Sequence, residues 1–389
     1  MKSLEIFSGA GGLAEGLKLS GFEHVGLLEY NKDACNTLRV NFPEQHIFEQ
    51  DIRDFKFQNF HGIDLLGGGP PCQPFSLGGK AKGQHDKRDM FPFAINGIRE
   101  LMPKAFVFEN VKGLLRQSFA SYFNYIILQL TYPEIEKRDK EKWMDHLARL
   151  EKIHTHGHHP ALRYNVVYRL INAANYGVPQ KRERVIIVGI RSDLKLEWNF
   201  PSETHSAERL LWDKFVTKEY WERNQVPKAD REEPSNTSKK KAEKLKGIYG
   251  FFEPETKPWV TVREALNGLP DPRDPKNTLR DHLFRDGAKS YPGHTGSYID
   301  DPSKTIKAGD HGVPGGENMI RFKDGRVRYF TILEAKRIQT FPDHYKITGS
   351  WTEGMRQLGN AVPVKLSNII GRELHRRLSF QRFIYGYAS

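Results

Sequence analysis

The chain has 389 residues, with 60 Lys and Arg against 48 Asp and Glu, a formal net charge of +12 and 38% apolar residues. At roughly 100–200 residues per domain this length holds two or three domains, and the composition excludes both a disordered tail and a small stapled scaffold. Two cysteines, Cys35 and Cys72, exclude a disulfide framework and a four-cysteine zinc site, and no apolar run approaches the roughly 18 residues of a membrane span.

Leu4–Phe7 reads as a short strand, SGAGG as a turn, and Leu13, Leu17 and Leu19 as one face of a helix ending near Gly21. Glu5 falls where a signal peptide would need an apolar stretch, so the expectation is a mature, cytoplasmic chain. Val25–Leu28 is a second strand, a helix runs from Lys32 to about Phe42, and Ile47–Phe48 is a third strand position before Asp51. Ile63–Leu66, Ala105–Phe108, Val166–Leu170 and Val185–Ile190 complete a series of seven. Strands separated by helices predict an α/β fold with a doubly wound sheet.

Two stretches break the alternation. Residues 131–160 are charge-dense, with Ile135, Trp143, Leu147, Leu150 and Ile153 at roughly helical spacing, and read as a helical insertion. They end in His154, His156, His158 and His159, whose irregular spacing before Pro160 favours a loop over a metal site. From about 199 to 302, Pro, Lys and Glu dominate, and a second, smaller domain of short elements and long loops is expected. Its run KKKAEKLK, 239–246, reads as a solvated helix face rather than a phosphate clamp.

Charge follows these divisions. Residues 1–100 carry 11 basic and 13 acidic side chains, 101–200 carry 16 and 10, 201–300 carry 18 and 17, and 301–389 carry 15 and 8. The excess gathers in two blocks, which suits a polyanion partner or a basic surface, while the first hundred residues are slightly acidic.

FSGAGG, 7–12, leaves the first strand at the carboxyl edge of the sheet, where glycines let a ligand approach the backbone. Glu29 closes the second strand, where a carboxylate accepts from both hydroxyls of a ribose, and Asp51 in QDI follows the third, placed for an adenine amino group. A GxGxxG fingerprint and a phosphate-binding lysine loop are both missing, so the ligand reads as an adenosine without phosphates. That also disfavours a nicotinamide dehydrogenase.

The fourth strand leads into GGGPPCQPFS, 67–76, which forms turns rather than core. Cys72 there reads as a nucleophile, and Cys35, in the helical DACNTL, as a small core residue. Glu109 leaves a buried strand in ENV, which reads equally as a proton donor or as an exposed loop carboxylate. In QKRER, 180–184, Arg182 and Arg184 are two apart, hence on one side of the following strand, able to hold a base oxygen or a phosphate. GNAVP, 359–363, is expected to begin the last helix.

Taken in order, FSGAGG, Glu29, QDI, GPPCQPFS, ENV, QKRER and GNAVP resemble the motif series of the cytosine-5 DNA methyltransferases, over nearly the whole chain outside 112–160 and 200–300. DDPSKTIKAG, 300–309, and RYFTILEAKRIQTFPDHY, 328–345, are also similar to that family. The resemblance implies a Rossmann-like S-adenosyl-L-methionine-dependent catalytic domain over 1–198, a target-recognition domain over 199–302, and a return to the catalytic domain over 303–389. It implies Cys72 as nucleophile, Glu109 as acid, Asn110 as its placement, Arg184 on the cytosine oxygen and Arg182 beside it. It lines the cofactor pocket with Phe7, Gly9, Ala10, Gly11, Gly12, Glu29, Asp51 and Ile52, adding Pro71, Phe91, Asn360 and Val362 near the methionine, and makes 73–91 a loop that closes over DNA. No metal is implied. The expected partner is double-stranded DNA, read by a monomer that meets no membrane, with a restriction endonuclease acting on the same site without touching the enzyme. One branch of the family methylates a transfer RNA; the long segment between QKRER and GNAVP favours duplex DNA.

Overall fold

A computed structural model describes residues 1–71, 89–157, 160–309 and 318–385, the side chains of 380–385 excepted. The chain divides into two compact units, one of residues 1–171, 183–201 and 367–389 and the other of residues 172–182 and 202–366.

The first unit is built on a seven-stranded sheet: β1 (Lys2–Ile6), β2 (Glu23–Glu29), β3 (Ile47–Glu49), β4 (Leu65–Gly68), β5 (Ala105–Val111), β6 (Tyr164–Asn172) and β7 (Glu183–Arg191). Every strand read from the sequence is present, in the order β3-β2-β1-β4-β5-β7-β6. The first five are parallel, and β7 runs antiparallel to β5. The strand order reverses between β1 and β4, the doubly wound arrangement, so that ligand loops gather at the carboxyl ends.

Five helices connect these strands: α1 (Gly12–Leu19), α2 (Lys32–Asn41), α3 (Phe91–Leu101), α4 (Ala120–Thr131) and α5 (Trp143–His156). The Asn31 side chain accepts from Ala34 N at 3.0 Å and so caps α2, satisfying one of the free donors of its first turn. Alternate strand residues Leu4, Ile6, Leu66, Phe106, Phe108, Val185 and Ile187 form one buried face with Ile95 and Ile98 of α3 and Phe123 and Ile126 of α4. Burying each of these apolar side chains is worth about 1.5–3 kcal/mol. Leu13 and Leu17 of α1 lie against Gly67 on the other face.

The inserted segment docks on α4 through Leu147 and Leu150, which meet Tyr125, Leu128 and Tyr132. Contrary to the loop expected around the histidines, α5 runs through His154 and His156, because the stop comes only at Gly157, in the left-handed conformation at φ 76°. His154 meets the Tyr132 hydroxyl at 2.8 Å, and His158 and His159 lie outside the described residues.

The second unit holds β8 (His205–Ser206), α6 (Ala207–Phe215), α7 (Glu219–Arg223), α8 (Asn236–Tyr249), β9 (Lys257–Pro258), α9 (Val262–Ala265), β10 (Ser297–Tyr298), β11 (Met319–Arg321), β12 (Val327–Tyr329), α10 (Ile332–Ile338) and α11 (Trp351–Asn360). The lysine run lies on α8, exposed opposite the buried Ala242 and Leu245, as a solvated face. Residues 303–366, expected with the catalytic domain, cluster here instead. The tie is a set of long-range bonds: Ser303 N to Pro179 O at 2.9 Å and Ile306 N to the Gln180 side chain at 3.0 Å. Among the described residues no helix is long and apolar enough to cross a membrane.

Candidate active site

Five loops leave the carboxyl ends of β1–β5 along one edge of the first unit's sheet. The loop 7–12 turns left-handed at Phe7 (φ 56°), Gly9 (52°) and Gly11 (80°), conformations that glycine adopts without cost. A β-carbon on Gly9 would meet nothing within 4 Å, so bare backbone faces open space. Ala10, Gly11 and Gly12 are buried.

Glu29 holds this loop. Its Oε2 accepts from Gly9 N at 2.8 Å, and its Oε1 accepts from Tyr30 N at 3.0 Å and Asn31 N at 2.8 Å. A carboxylate offers roughly four lone-pair directions. Backbone N–H groups take three of them, and one direction remains. Asp51 is bound to Arg53 by two side-chain contacts of 2.9 and 2.6 Å, and the guanidinium holds its carboxyl below the usual carboxylate range. The Asp51 side chain is 32% exposed, whereas Ile52 and Phe91 are buried in the core. Open backbone, one spare acceptor on Glu29 and a partly exposed carboxylate fit a ligand that brings hydroxyl and amino donors and no phosphate. Cys35 behaves as the core residue expected: its thiol donates to Glu29 O at 3.3 Å, and burial pushes its pKa up to about 12.

Cys72 and the loop that follows, to residue 88, lie outside the described residues. The chain on either side of them is placed, since Met90 N donates to Pro71 O at 3.1 Å. Asn110, buried at the end of β5, donates from Nδ2 to Pro70 O at 2.9 Å and accepts Val111 N on Oδ1 at 2.9 Å. Its amide thus fixes the backbone two residues before Cys72. A β-carbon on Gly69 would lie 3.6 Å from Glu109 Oε2, so this same backbone passes the Glu109 carboxyl.

The Glu109 carboxyl is not alone. Arg184 Nε stands 2.6 Å from its Oε1, with the two side chains 13% and 11% exposed. Antiparallel pairing explains this: Arg184 is opposite Val111, and Glu109, two residues earlier, shares its face. Glu109 and Asn110 lie inside β5 rather than after it, because pairing with β7 extends the strand to Val111. Lys112 and Glu183 add an exposed pair at 2.8 Å.

Arg182 has a different place from Arg184. It precedes β7 and belongs to the second unit, buried at 1% exposure, donating from Nη2 to Gly359 O at 2.9 Å and from Nη1 to Ile306 O at 3.4 Å. The one-sided strand pair expected from the spacing does not form, since the strand begins only at Glu183. Gly359 is required where it stands, because a β-carbon would fall 2.5 Å from Ala308 N. GNAVP does not begin the last helix: Gly359 and Asn360 end α11, Ala361 is extended, and the C-terminal helix starts at Val364. Asn360 is exposed and Val362 buried, both in the second unit. Gln180, the first residue of QKRER, has a structural place that its motif does not show. Its amide meets Gln339 Oε1 at 3.1 Å and Ile306 N, a pairing across 159 residues that no local pattern marks.

Among the described residues no group of three His, Cys, Asp or Glu is placed to hold a metal ion.

A family model described as C-5 cytosine-specific DNA methylase matches residues 1–132 and 146–376. The unmatched 133–145 covers the connection from α4 to α5 and the first three residues of α5. The chain is 34% identical over 382 residues to the type II methyltransferase M.PspPI of Psychrobacter sp. (strain TA137), covering 97% of this chain and 79% of that protein. It is 30% identical to the type II methyltransferase M.NgoMIV of Neisseria gonorrhoeae, covering 97% of both. Among solved structures, a putative DNA modification methyltransferase encoded within an E. coli prophage superposes with a TM-score of 0.58 at 20% identity, covering 97% of this chain and 99% of that one. The Dnmt2 methyltransferase of S. pombe does so at 0.53 and 17%, covering 97% and 99%.

Proposed function

The chain belongs to the C-5 cytosine-specific DNA methylase family, and from that premise we propose that Cys72, Glu109, Asn110 and Arg184 carry out its reaction. The enzyme methylates carbon 5 of cytosine in DNA, within a specific short sequence, as the modification half of a restriction-modification system.

Cytosine carbon 5 is too electron-poor to attack a methyl group unaided. The Cys72 thiolate adds to carbon 6, and Glu109 gives a proton to ring nitrogen 3, so that the ring becomes an enamine with a nucleophilic carbon 5. Arg184, already against Glu109, has further guanidinium donors to hold the base oxygen. Asn110 sets the backbone that presents the thiol. S-Adenosyl-L-methionine, when bound, supplies an electrophilic methyl group. The 7–12 loop, Glu29, Asp51 and Ile52 would hold its adenosine, and Pro71 and Phe91 its methionine. Once carbon 5 is methylated, loss of its proton to a base returns the electron pair to the ring and expels the Cys72 thiolate, and ring nitrogen 3 gives its proton back to Glu109.

A carboxyl and a guanidinium fixed on adjacent strands cannot enter a duplex, so the target cytosine leaves the stack. The enzyme works as a monomer in the cytoplasm, and a cognate endonuclease acts on the same sequence without contact. The observation that carries the reading is the 2.6 Å Glu109–Arg184 pair beside the backbone entering Cys72. Transfer of labelled methyl from S-adenosyl-L-methionine tests it. Label entering duplex DNA and not transfer RNA supports it, and label entering transfer RNA alone overturns it.

A further inference from the structure

Three basic side chains of the second unit converge, and among the described residues no carboxylate acts on His205 or Lys365. His205 and Lys257 are register partners in the parallel pair β8–β9. Lys365, just inside the C-terminal helix, donates from Nζ to Gly177 O at 3.0 Å. His205 Nε2 and Lys365 Nζ lie 2.8 and 2.6 Å from the point where a β-carbon on Gly177 would sit, so both crowd over one glycine. The other ring nitrogen of His205 is taken by the Thr204 hydroxyl at 2.8 Å, which fixes the ring.

Such a cluster is unfavourable as it stands. Burial and then the charges of Lys365 and Lys257 lower the pKa of His205 to about 4. Burial and then Lys257 lower that of Lys365. Like charges held together in partly desolvated surroundings repel, and a fold retains them at low cost only if an anion enters between them. Lys257 and Lys365 are nevertheless exposed, so an incoming group can reach them. Ammonium and ring N–H donors arriving from three separate elements suit a tetrahedral oxyanion, and charge-assisted bonds of this kind are the stronger ones. The enzyme's substrate carries one such anion at every nucleotide.

We propose that His205, Lys257 and Lys365 form a site for one phosphate group of the DNA backbone. It rests on DNA being the substrate and adds a fixed anchor outside the residues assigned to chemistry. A contact of this sort sets the position of the duplex and reads no base.

The test uses the full-length enzyme and duplex DNA, with affinity measured over a range of salt concentrations for wild type, Lys257→Gln, Lys365→Gln and Lys257→Arg. Each phosphate neutralised contributes about 0.9 to the slope of log affinity against log salt. Both glutamine variants are expected to lose up to about that much slope and to bind several-fold more weakly at low salt, while Lys257→Arg keeps the wild-type slope. Slopes and affinities equal to wild type in variants with unchanged melting temperature would overturn the proposal. If Lys365→Gln fails to fold, Lys257→Gln, which alters an exposed side chain, decides alone. Inorganic phosphate is titrated in parallel at constant ionic strength. Stabilisation of wild type but not of Lys257→Gln, with identical DNA slopes, assigns the site to free phosphate and overturns the backbone assignment. Wild-type protein that binds no duplex at all contradicts the DNA reading itself, and this site with it.

Discussion

Arg184 Nε lies 2.6 Å from Glu109 Oε1, across two strands that run in opposite directions and are far apart in the chain. The pair ties the acid to the group that would hold the base, so neither can be altered without disturbing the other. Glu109→Gln keeps the shape but cannot give a proton to ring nitrogen 3. It is expected to lower the single-turnover rate by about 10²–10⁴-fold with DNA affinity retained. Arg184→Lys keeps the charge but not the planar fork, and should lose rate as well. A double-mutant cycle on the rate checks the coupling: losses that fail to add are expected, and simple additivity would mean the two act independently.

Asn110 makes a different claim, because its amide donates to Pro70 O, two residues before Cys72. Asn110→Ala frees the backbone before Cys72 and leaves the 7–12 loop and Glu29 as they are. We expect turnover to fall by one to three orders of magnitude, about the cost of a misplaced reacting group, with S-adenosyl-L-methionine affinity unchanged. Calorimetric titration beside the kinetics separates the two.

Much of this arrangement was legible beforehand, and its limits are physical. Most of the strands were readable because buried strands are short apolar runs bounded by turns, as in Ala105–Phe108 and Val185–Ile190. Glu29 was readable as a strand-end residue because it follows the apolar run Val25–Leu28. The arginine on Glu109 was not, since the β5–β7 register is a tertiary choice. Nor was Arg182, whose guanidinium meets carbonyls of residues 306 and 359. Two-residue strands such as β8 and β9 show no periodicity at all, and the placement of 303–366 with the second unit follows from bonds to Pro179 and Gln180 that no local pattern encodes.

Stability should depend on pH through His24. Its Nε2 faces Ala14 O at 2.8 Å and therefore carries the proton, so Nδ1 accepts from the Ser3 hydroxyl at 2.9 Å. Burial holds the ring's pKa at about 4 against 6.5 when unfolded. A group lowered on folding contributes stability above the unfolded value, and that contribution fades as pH falls from about 6.5 toward 4. Between pH 7 and pH 5 the loss from His24 is about 2 kcal/mol, visible as a lower denaturation midpoint.

Arg328 and Glu334 form a buried pair in the second unit, with two contacts of 2.7 and 2.6 Å. The same carboxylate accepts Thr331 N at 2.9 Å and completes the capping box that starts α10. Glu334→Ala leaves a buried guanidinium without its charge partner and removes the carboxylate half of the capping box. A loss of about 3–5 kcal/mol is expected, read as a fall in melting temperature.

The central claim is that Cys72 enables methylation of cytosine carbon 5 within one short DNA sequence. Bisulfite sequencing of DNA from cells expressing wild-type protein or Cys72→Ser tests it most directly. The account predicts unconverted cytosines at one recurring short sequence with wild type and none with the variant. Full conversion with folded wild-type protein, or the same protected sites with Cys72→Ser, would contradict it.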